Sequence, residues 1–454
     1  MKKHAGADDL LNVVQKSVDS ARRRFLRTSA AGSVAAWAAP GLLFRQPAPA
    51  AGRPIRIGFV NPRTGVLAPF GEGEDFVLAG VRKILAAGIV VNGAAHPVEI
   101  LDRDSESSST RAAEISSALI KSDKIDIMLA ASTPDTVNPV SDLCEKNGVP
   151  CITTNAPWQM YLLGRGGSLS QSFDWTYHFF WGMEDVVAVF TNMWGGVPTN
   201  KVVGALWPDE ADGRAHSHPK LGFPPTLQAK GFRLVDPGRF PRAASDYSSQ
   251  IKIFKSEKVE ILTGVLTSPA FATFWRQARQ QQFRPKIATI AKALLFPSAV
   301  ETLGDHGGGM STEIWWSPSH PYLSGLNGEN CTEFCVNYED TTRKQWTQPI
   351  GFLHALFEVG IDSLKRAKDI DSPASIRDAI RATNYQSLVG RIAWEGKPAK
   401  NVAKTPLVGG QWVAGWKFKN WAEGQKFKYD LVIVDNQTDP EIGTQRKLEP
   451  LSQT

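Results

Sequence analysis

Ile55-Arg56-Ile57-Gly58-Phe59-Val60 is followed by a turn from Asn61 to Gly65 and then by apolar positions at Val77, Val81, Ile84 and Leu85, ended by Gly88. A short β-rich run, a turn and an apolar stripe at helical spacing read as strand, turn and helix. The unit recurs twice and ends on a fourth strand. Val98 to Leu101 is the second strand, and residues 109–121 form a helix with Ala112, Ile115 and Leu119 on one side. Ile125 to Ala130, then 134–147, then Pro150 to Thr153 continue the alternation. Strands apolar at nearly every position are buried on both faces, so the sheet is parallel and covered by helices on each side.

Residues 157–180 break this rhythm with Gly164, Gly166 and Gly167. A second β/α series then starts. Lys201 to Trp207 reads as a strand, 217–230 as a helix interrupted by Pro224-Pro225, and Phe232 to Val235 as a strand. A helix at 246–257, a strand from Val259 to Leu266, a helix at 270–282 and a strand from Lys286 to Ile290 complete it. Helices at 328–344, 350–368 and 373–383 follow, with β-like runs at 388–395, 411–418 and 429–434. These late elements are too few for a third unit and are expected to pack back on the first two.

Ahead of this lies an address. Arg22-Arg23-Arg24-Phe25-Leu26-Arg27 runs into an apolar stretch from Thr28 to Phe44, and Ala48-Pro49-Ala50 supplies a small-x-small cleavage site. Basic, apolar, small is the order of an export signal, here resembling the twin-arginine type. Pro40-Gly41 interrupts the stretch, which is short for a span of about 20 residues. Residues 1–50 are therefore expected to be cleaved during export to the periplasm. The chain has 51 basic and 45 acidic residues, but the leader holds eight and three of them, leaving 43 and 42 and a net charge of +1. That excludes a large basic field for nucleic acid. No later apolar run is long enough to span a bilayer, so a soluble mature protein is expected. Cys144, Cys151, Cys331 and Cys335 suit an oxidising compartment, allow three pairings, and contain no C-x-x-C pair for zinc.

Several stretches together resemble the branched-chain amino-acid-binding proteins of ABC importers. Thr64-Gly65-Val66-Leu67-Ala68-Pro69-Phe70-Gly71 looks like that family's loop after strand one, and Ile100-Leu101-Asp102-Arg103-Asp104-Ser105 like its second strand. Ala131-Ser132-Thr133 sits where the family has a serine-rich ligand loop, and Val149-Pro150-Cys151-Ile152-Thr153 matches its V-P-x-I strand. Asp246-Tyr247-Ser248 and Gln277-Ala278-Arg279 to Phe283-Arg284-Pro285 resemble two later elements. The resemblance implies an α/β fold of type I periplasmic binding protein, with two Rossmann-like lobes joined by three crossovers near 178–184, 313–322 and 385–395. Residues 51–180 with 322–385 form the first lobe, and 181–321 with 386–454 the second. It also implies a monomeric carrier without catalysis or cofactor, delivering its ligand to an ABC permease.

In open α/β sheets, ligands bind beyond the carboxyl ends of the strands, where helix N-termini present free N–H groups. Ser132-Thr133-Pro134-Asp135 has the form of a strand end entering a helix, with Thr133 as N-cap. The Ser132 hydroxyl and nearby N–H groups then suit a carboxylate, and Asn155-Ala156-Pro157 repeats the arrangement. Phe70 and Trp158 are expected to flank the ligand, and Trp181, Trp207 and Asp209 to close over it from the second lobe. Two departures from the family stand out. Pro157 replaces a threonine, and Lys292 stands where a carboxylate grips the ligand's ammonium. A lysine repels an ammonium, so the sequence favours a small, apolar, even aromatic carboxylic acid. Asp209, Glu210 or Asp212 are the residues able to restore an amino-acid site.

Rival readings are weak. Gly71-x-Gly73 lacks the third glycine of a dinucleotide loop, since Phe76 holds that place, and no G-x-S-x-G occurs. His216-x-His218 near Asp212 has metal-binding residue types, but on a polar loop it reads as exposed histidines. A sensor lobe of the same fold is the remaining alternative, and the lack of an output segment after the second series favours the carrier.

Overall fold

The computed structural model describes residues 50–396, 398–415 and 427–452, so the leader with its Arg22-Arg23 pair lies outside the described residues. The strands fall into two large sheets. The first runs, in spatial order, Val402–Ala403, Thr176–Phe179, Cys151–Thr154, Ile127–Ala131, Ile55–Asn61, Val98–Asp104. Every pairing in it is parallel. The second runs Arg233–Val235, Val202–Leu206, Ile261–Val265, Ile287–Ala291, Ser311–Ile314, Val408–Ala414, Tyr429–Asp435. It is parallel through Ser311–Ile314, and the last two strands run antiparallel. Ile127–Ala131, Ile261–Val265 and Ile287–Ala291 are buried at every residue, as strands covered on both faces must be.

The chain leaves the first sheet after Phe179, returns after Ile314, and crosses for the last time between Ala403 and Val408. That last crossing corrects the boundary expected at 385–395. Residues 384–393 form a hairpin, Asn384–Ser387 with Gly390–Ala393, and the next strand, Val402–Ala403, pairs with Thr176–Phe179 of the first sheet. Two residues of strand leave almost no periodic signal, which is why the crossing was misplaced. A small third sheet pairs Ala50–Ala51 with Ala94–His96, and the latter with Ile89–Val91.

The late helices do pack back on the first lobe. Pro349–Arg366 is buried around nearly its whole circumference, which a helix tolerates only inside a core. It packs against Ile127–Ala131 and Cys151–Thr154. Prolines start helices here more often than they break them. Pro224 and Pro225 sit in the first turn of Phe223–Ala229, where the missing N–H has no partner to lose. The helix expected over 217–230 therefore begins only at Phe223, and a separate short helix, Ala211–His216, precedes it. All four cysteines are free and buried. Cys144 and Cys151 lie in and beside the first sheet, while Cys331 and Cys335 share the helix Cys331–Thr342, which packs on Glu74–Ile84. Among the described residues no helix is long and apolar enough to cross a membrane.

Candidate functional site

The carboxyl ends of both sheets meet at one cavity of about 50 Å³. From the first lobe Phe70, Thr133, Pro134, Asn155 and Pro157 line it. From the second lobe come Asp212, His216, Val265, Ala291, Lys292, Leu295 and Glu313. Phe180, Trp181 and Trp315 line it from the first two crossovers. Contacts that span the lobes near this cavity include the following. Phe70 meets Phe296 edge to face at 4.9 Å, Ser298 Oγ donates to Glu72 Oε1 at 2.8 Å, and Arg242 pairs with Asp135 at 3.4 Å.

The backbone at the strand ends is strained. Ser132, Thr133, Asn155 and Lys292 have φ of 74°, 67°, 64° and 66°. Asparagine tolerates this region, but a β-branched threonine there is a genuine outlier, and such strain gathers at ligand sites. It has a direct effect at Thr133. This residue occupies the N-cap position of Pro134–Asn147, yet its side chain makes no cap hydrogen bond. Its buried Oγ1 instead has no partner in the protein. Asn155 Nδ2, Trp181 Nε1, Trp315 Nε1 and His216 Nε2, which line the same cavity, are likewise buried without partners among the described residues. Buried polar atoms in native proteins are nearly always satisfied, so five together on one cavity mark a surface built for something polar.

On the second lobe, Gly213 lets the helix Ala211–His216 approach Pro208. A Cβ at that position would collide with the Pro208 carbonyl oxygen. The close approach carries Asp212 and His216 to the cavity. Lys292 Nζ donates to Asp212 Oδ2 at 2.5 Å and lies 3.5 Å from Glu210. Burial opposes the Asp212 charge, but Lys292 beside it holds the carboxyl below its ordinary range. Burial likewise opposes the Lys292 charge, and Asp212 and Glu210 raise it above the ordinary lysine value. His216 Nδ1 is 2.8 Å from the Asp212 carbonyl oxygen, which only accepts, so Nδ1 carries the proton and Nε2 is an acceptor. Burial keeps this imidazole neutral by lowering its pKa. Glu313 is 2% exposed, and burial pushes its carboxyl up to about 7.

Of the residues expected from sequence, Phe70, Thr133, Asn155, Trp181 and Lys292 share this cavity, and five others do not line it. Ser132 is buried behind Thr133, and its N–H bonds Thr154 O. The Thr133 N–H bonds Asn155 O, so neither amide is free for a carboxylate. The Ala156 carbonyl accepts from His178 Nε2 at 2.7 Å. Trp158 turns away and donates to Glu184 at 3.1 Å. Trp207 is buried behind His216, with ring centroids 5.8 Å apart. Asp209 is 60% exposed and pairs with Arg214 at 3.0 Å. His216 is 3% exposed, not a surface histidine as its polar loop implied. Phe180, Val265, Leu295 and Glu313 were missed. Glu313 had one signal, a lone carboxylate inside the short run Ser311-Thr312-Glu313-Ile314.

A family model described as periplasmic binding protein matches residues 54–417. The fold is similar to that of a leucine-binding protein from Thermotoga maritima, 18% identical over 84% of this chain and 99% of that one, with a TM-score of 0.65. A branched-chain amino acid transporter substrate-binding protein from Streptococcus pneumoniae, solved with isoleucine, is 15% identical over 84% and 99%, with a TM-score of 0.65. A solute-binding protein of an ABC transporter from Rhodopseudomonas palustris, solved with 3,4-dihydroxybenzoic acid, is 16% identical over 79% and 93%, with a TM-score of 0.63. At these identities the structural likeness speaks for the fold alone.

Proposed function

This chain belongs to the periplasmic binding protein family, whose members are solute-binding proteins, and we propose that it is the solute-binding component of an ABC importer. Its ligand is a small carboxylate-bearing solute, an amino acid or an aromatic or branched carboxylic acid, enclosed between the two lobes. The observation that carries this reading is the set of five buried, unpartnered polar atoms on one inter-lobe cavity. Four of them, Thr133 Oγ1, Asn155 Nδ2 and the Trp181 and Trp315 indole N–H groups, are able to donate. They are matched to carboxylate oxygens and flanked by the apolar faces of Phe70, Phe180 and Leu295. Isoleucine and 3,4-dihydroxybenzoic acid, the ligands of two solved proteins of this fold, are both small acids with an apolar body. In this reading the protein acts by binding and release, as a monomer.

A thermal-shift panel of amino acids and carboxylic acids tests this. A ligand at 100 times its Kd stabilises the folded state by roughly 2.7 kcal/mol, a shift such a screen resolves. A panel with no stabilising acid sinks the reading. The location follows from the leader. The precursor is exported to the periplasm by the twin-arginine route and cleaved near Ala50, where it serves a permease in the membrane. Replacing Arg22 and Arg23 by lysine should hold precursor inside the cell, and unchanged export would refute the route.

A further inference from the structure

The second lobe carries an unbalanced positive charge at the end opposite the cleft. The strand Ile287–Ala291 runs up to Lys292 on the cleft cavity. Five residues of strand rise about 17 Å, so Phe283-Arg284-Pro285, which precede it, lie at the far pole of the lobe. Two adjoining cavities open there, of about 320 Å³ and 540 Å³, and share Trp275, Arg279 and His306 as walls. Arg284 lines the first and Arg276 the second. Arg276 and Arg279 lie on one face of the helix Ser268–Gln280, at the i, i+3 spacing that makes side chains neighbours. Arg276 and Arg284 form no ion pair among the described residues. Asp305 is the one acid among the described residues that line these cavities, and Lys428 already holds it at 2.8 Å. Burial, with the charges of Arg279 and Arg284, lowers the His306 pKa from its ordinary value.

Trp275 is the wall common to both cavities. It is 5% exposed and stacks on Phe271 with ring centroids 5.9 Å apart, and its indole N–H is buried without a partner among the described residues. An orphaned buried donor is costly, and this one sits beside guanidinium groups that lack an acid. We propose that the far pole of the second lobe is a second binding site, separate from the cleft, and that it takes a phosphate group. A phosphate brings a charge of about −2 and three acceptor oxygens, and guanidinium forks pair with it bidentately. A carboxylate has one charge and two oxygens, too few for this set of donors. The second cavity leaves room for a further phosphate, so a diphosphate is favoured over a single group. The phosphate is carried either by a free solute or by a lipid headgroup, and the site serves a partner other than the cargo.

The test titrates the purified mature protein by calorimetry with pyrophosphate, inorganic phosphate and citrate, and sediments it with vesicles of phosphatidylglycerol or of phosphatidylcholine. Pyrophosphate should bind more tightly than inorganic phosphate, and citrate, an equally charged carboxylate, should bind at least tenfold more weakly than pyrophosphate. Arg276 and Arg284 are exposed, so replacing both by glutamine should leave the fold intact and weaken pyrophosphate roughly tenfold for each guanidinium removed. Trp275→Phe keeps the ring and removes the N–H, and should weaken pyrophosphate a few-fold. If it does not fold, the arginine variant carries the test. Binding of pyrophosphate without retention on phosphatidylglycerol assigns the phosphate to a free solute. Retention on phosphatidylglycerol but not phosphatidylcholine, lost in the arginine variant, assigns it to a lipid headgroup. Binding of neither, citrate as tight as pyrophosphate, or affinity unchanged in the arginine variant overturns the site. None of these results bears on the cleft.

Discussion

On the first-lobe wall, Thr133 and Asn155 reach the cavity from backbone at positive φ and carry no charge. On the second-lobe wall, Asp212, Lys292 and Glu313 reach it as ionisable groups, two of them joined at 2.5 Å. One wall is held by local conformation and the other by charge. The first should therefore ignore pH and salt and respond to backbone relief. The second should respond to pH and to the loss of either member of a pair.

The sharpest way to break this contrast is Lys292→Met. It leaves Asp212 buried without its cation, and removing one partner of a buried pair costs about 3–5 kcal/mol. Urea unfolding of the empty protein should show that loss, and Asp212→Asn in the same background should recover part of it. A loss below about 1 kcal/mol, the value of an exposed pair, would mean that charge does not hold this wall. A smaller effect is expected from pH. The Asp212 carboxyl is depressed, so its stabilisation is present above the unfolded value of about 3.9 and is lost as pH falls through the folded value. Glu313 runs the other way. With a folded pKa of about 7, its contribution is full below the unfolded value of about 4.3 and is lost as pH rises toward 7. Glu313→Gln should therefore gain about 2 kcal/mol on the wild type between pH 5 and pH 8. Denaturant titrations at the two pH values measure this, and parallel curves would contradict it.

The first wall should give smaller, pH-independent effects. Thr133→Val keeps the β-branch and removes the hydroxyl, so ligand affinity should fall by about 1 kcal/mol with unfolding unchanged. Ser132→Gly removes the side chain from a residue at φ 74° and should stabilise the empty protein by about 1 kcal/mol. If Ser132→Gly destabilises, the buried hydroxyl has a structural task and the wall is not held by strain alone. The smallest effect belongs to the contact between walls. Arg242 is 40% exposed where it meets Asp135, so Arg242→Ala should change the free energy of ligand binding by less than about 1 kcal/mol. Calorimetric titration should show it as a few-fold change in Kd.

The two parallel sheets were legible because doubly covered strands leave a plain signal, an apolar run bounded by turns. Ile127–Ala131 and Ile261–Val265 are such runs. Thr176–Phe179 was not legible, because its polar residues are satisfied by tertiary partners. Thr176 meets Tyr161, and His178 meets Thr153 and Ala156. In the site, Ser132-Thr133-Pro134 announced a helix start, but no local pattern reports that the threonine hydroxyl turns from the cap to the cavity. That depends on φ of 67° at Thr133. The surroundings of Lys292 were not legible for a related reason. Its partner Asp212 is 80 residues away, and the sign of a site's charge is a property of the assembled cluster.

The four thiols have a practical consequence. All are fully buried, and burial holds Cys144 and Cys335 well above the ordinary thiol range and lifts Cys331 to about 12. Thiolate is the reactive form, so an alkylating reagent meets almost none at these three positions in the native state, and burial shields Cys151 from it as well. All four sit in the first lobe, in or against its sheet and on the helix Cys331–Thr342, and the chain has no others. Alkylation is therefore a built-in clock for opening of one lobe. It is silent about the other, and it separates the breathing of the two halves without any engineered label.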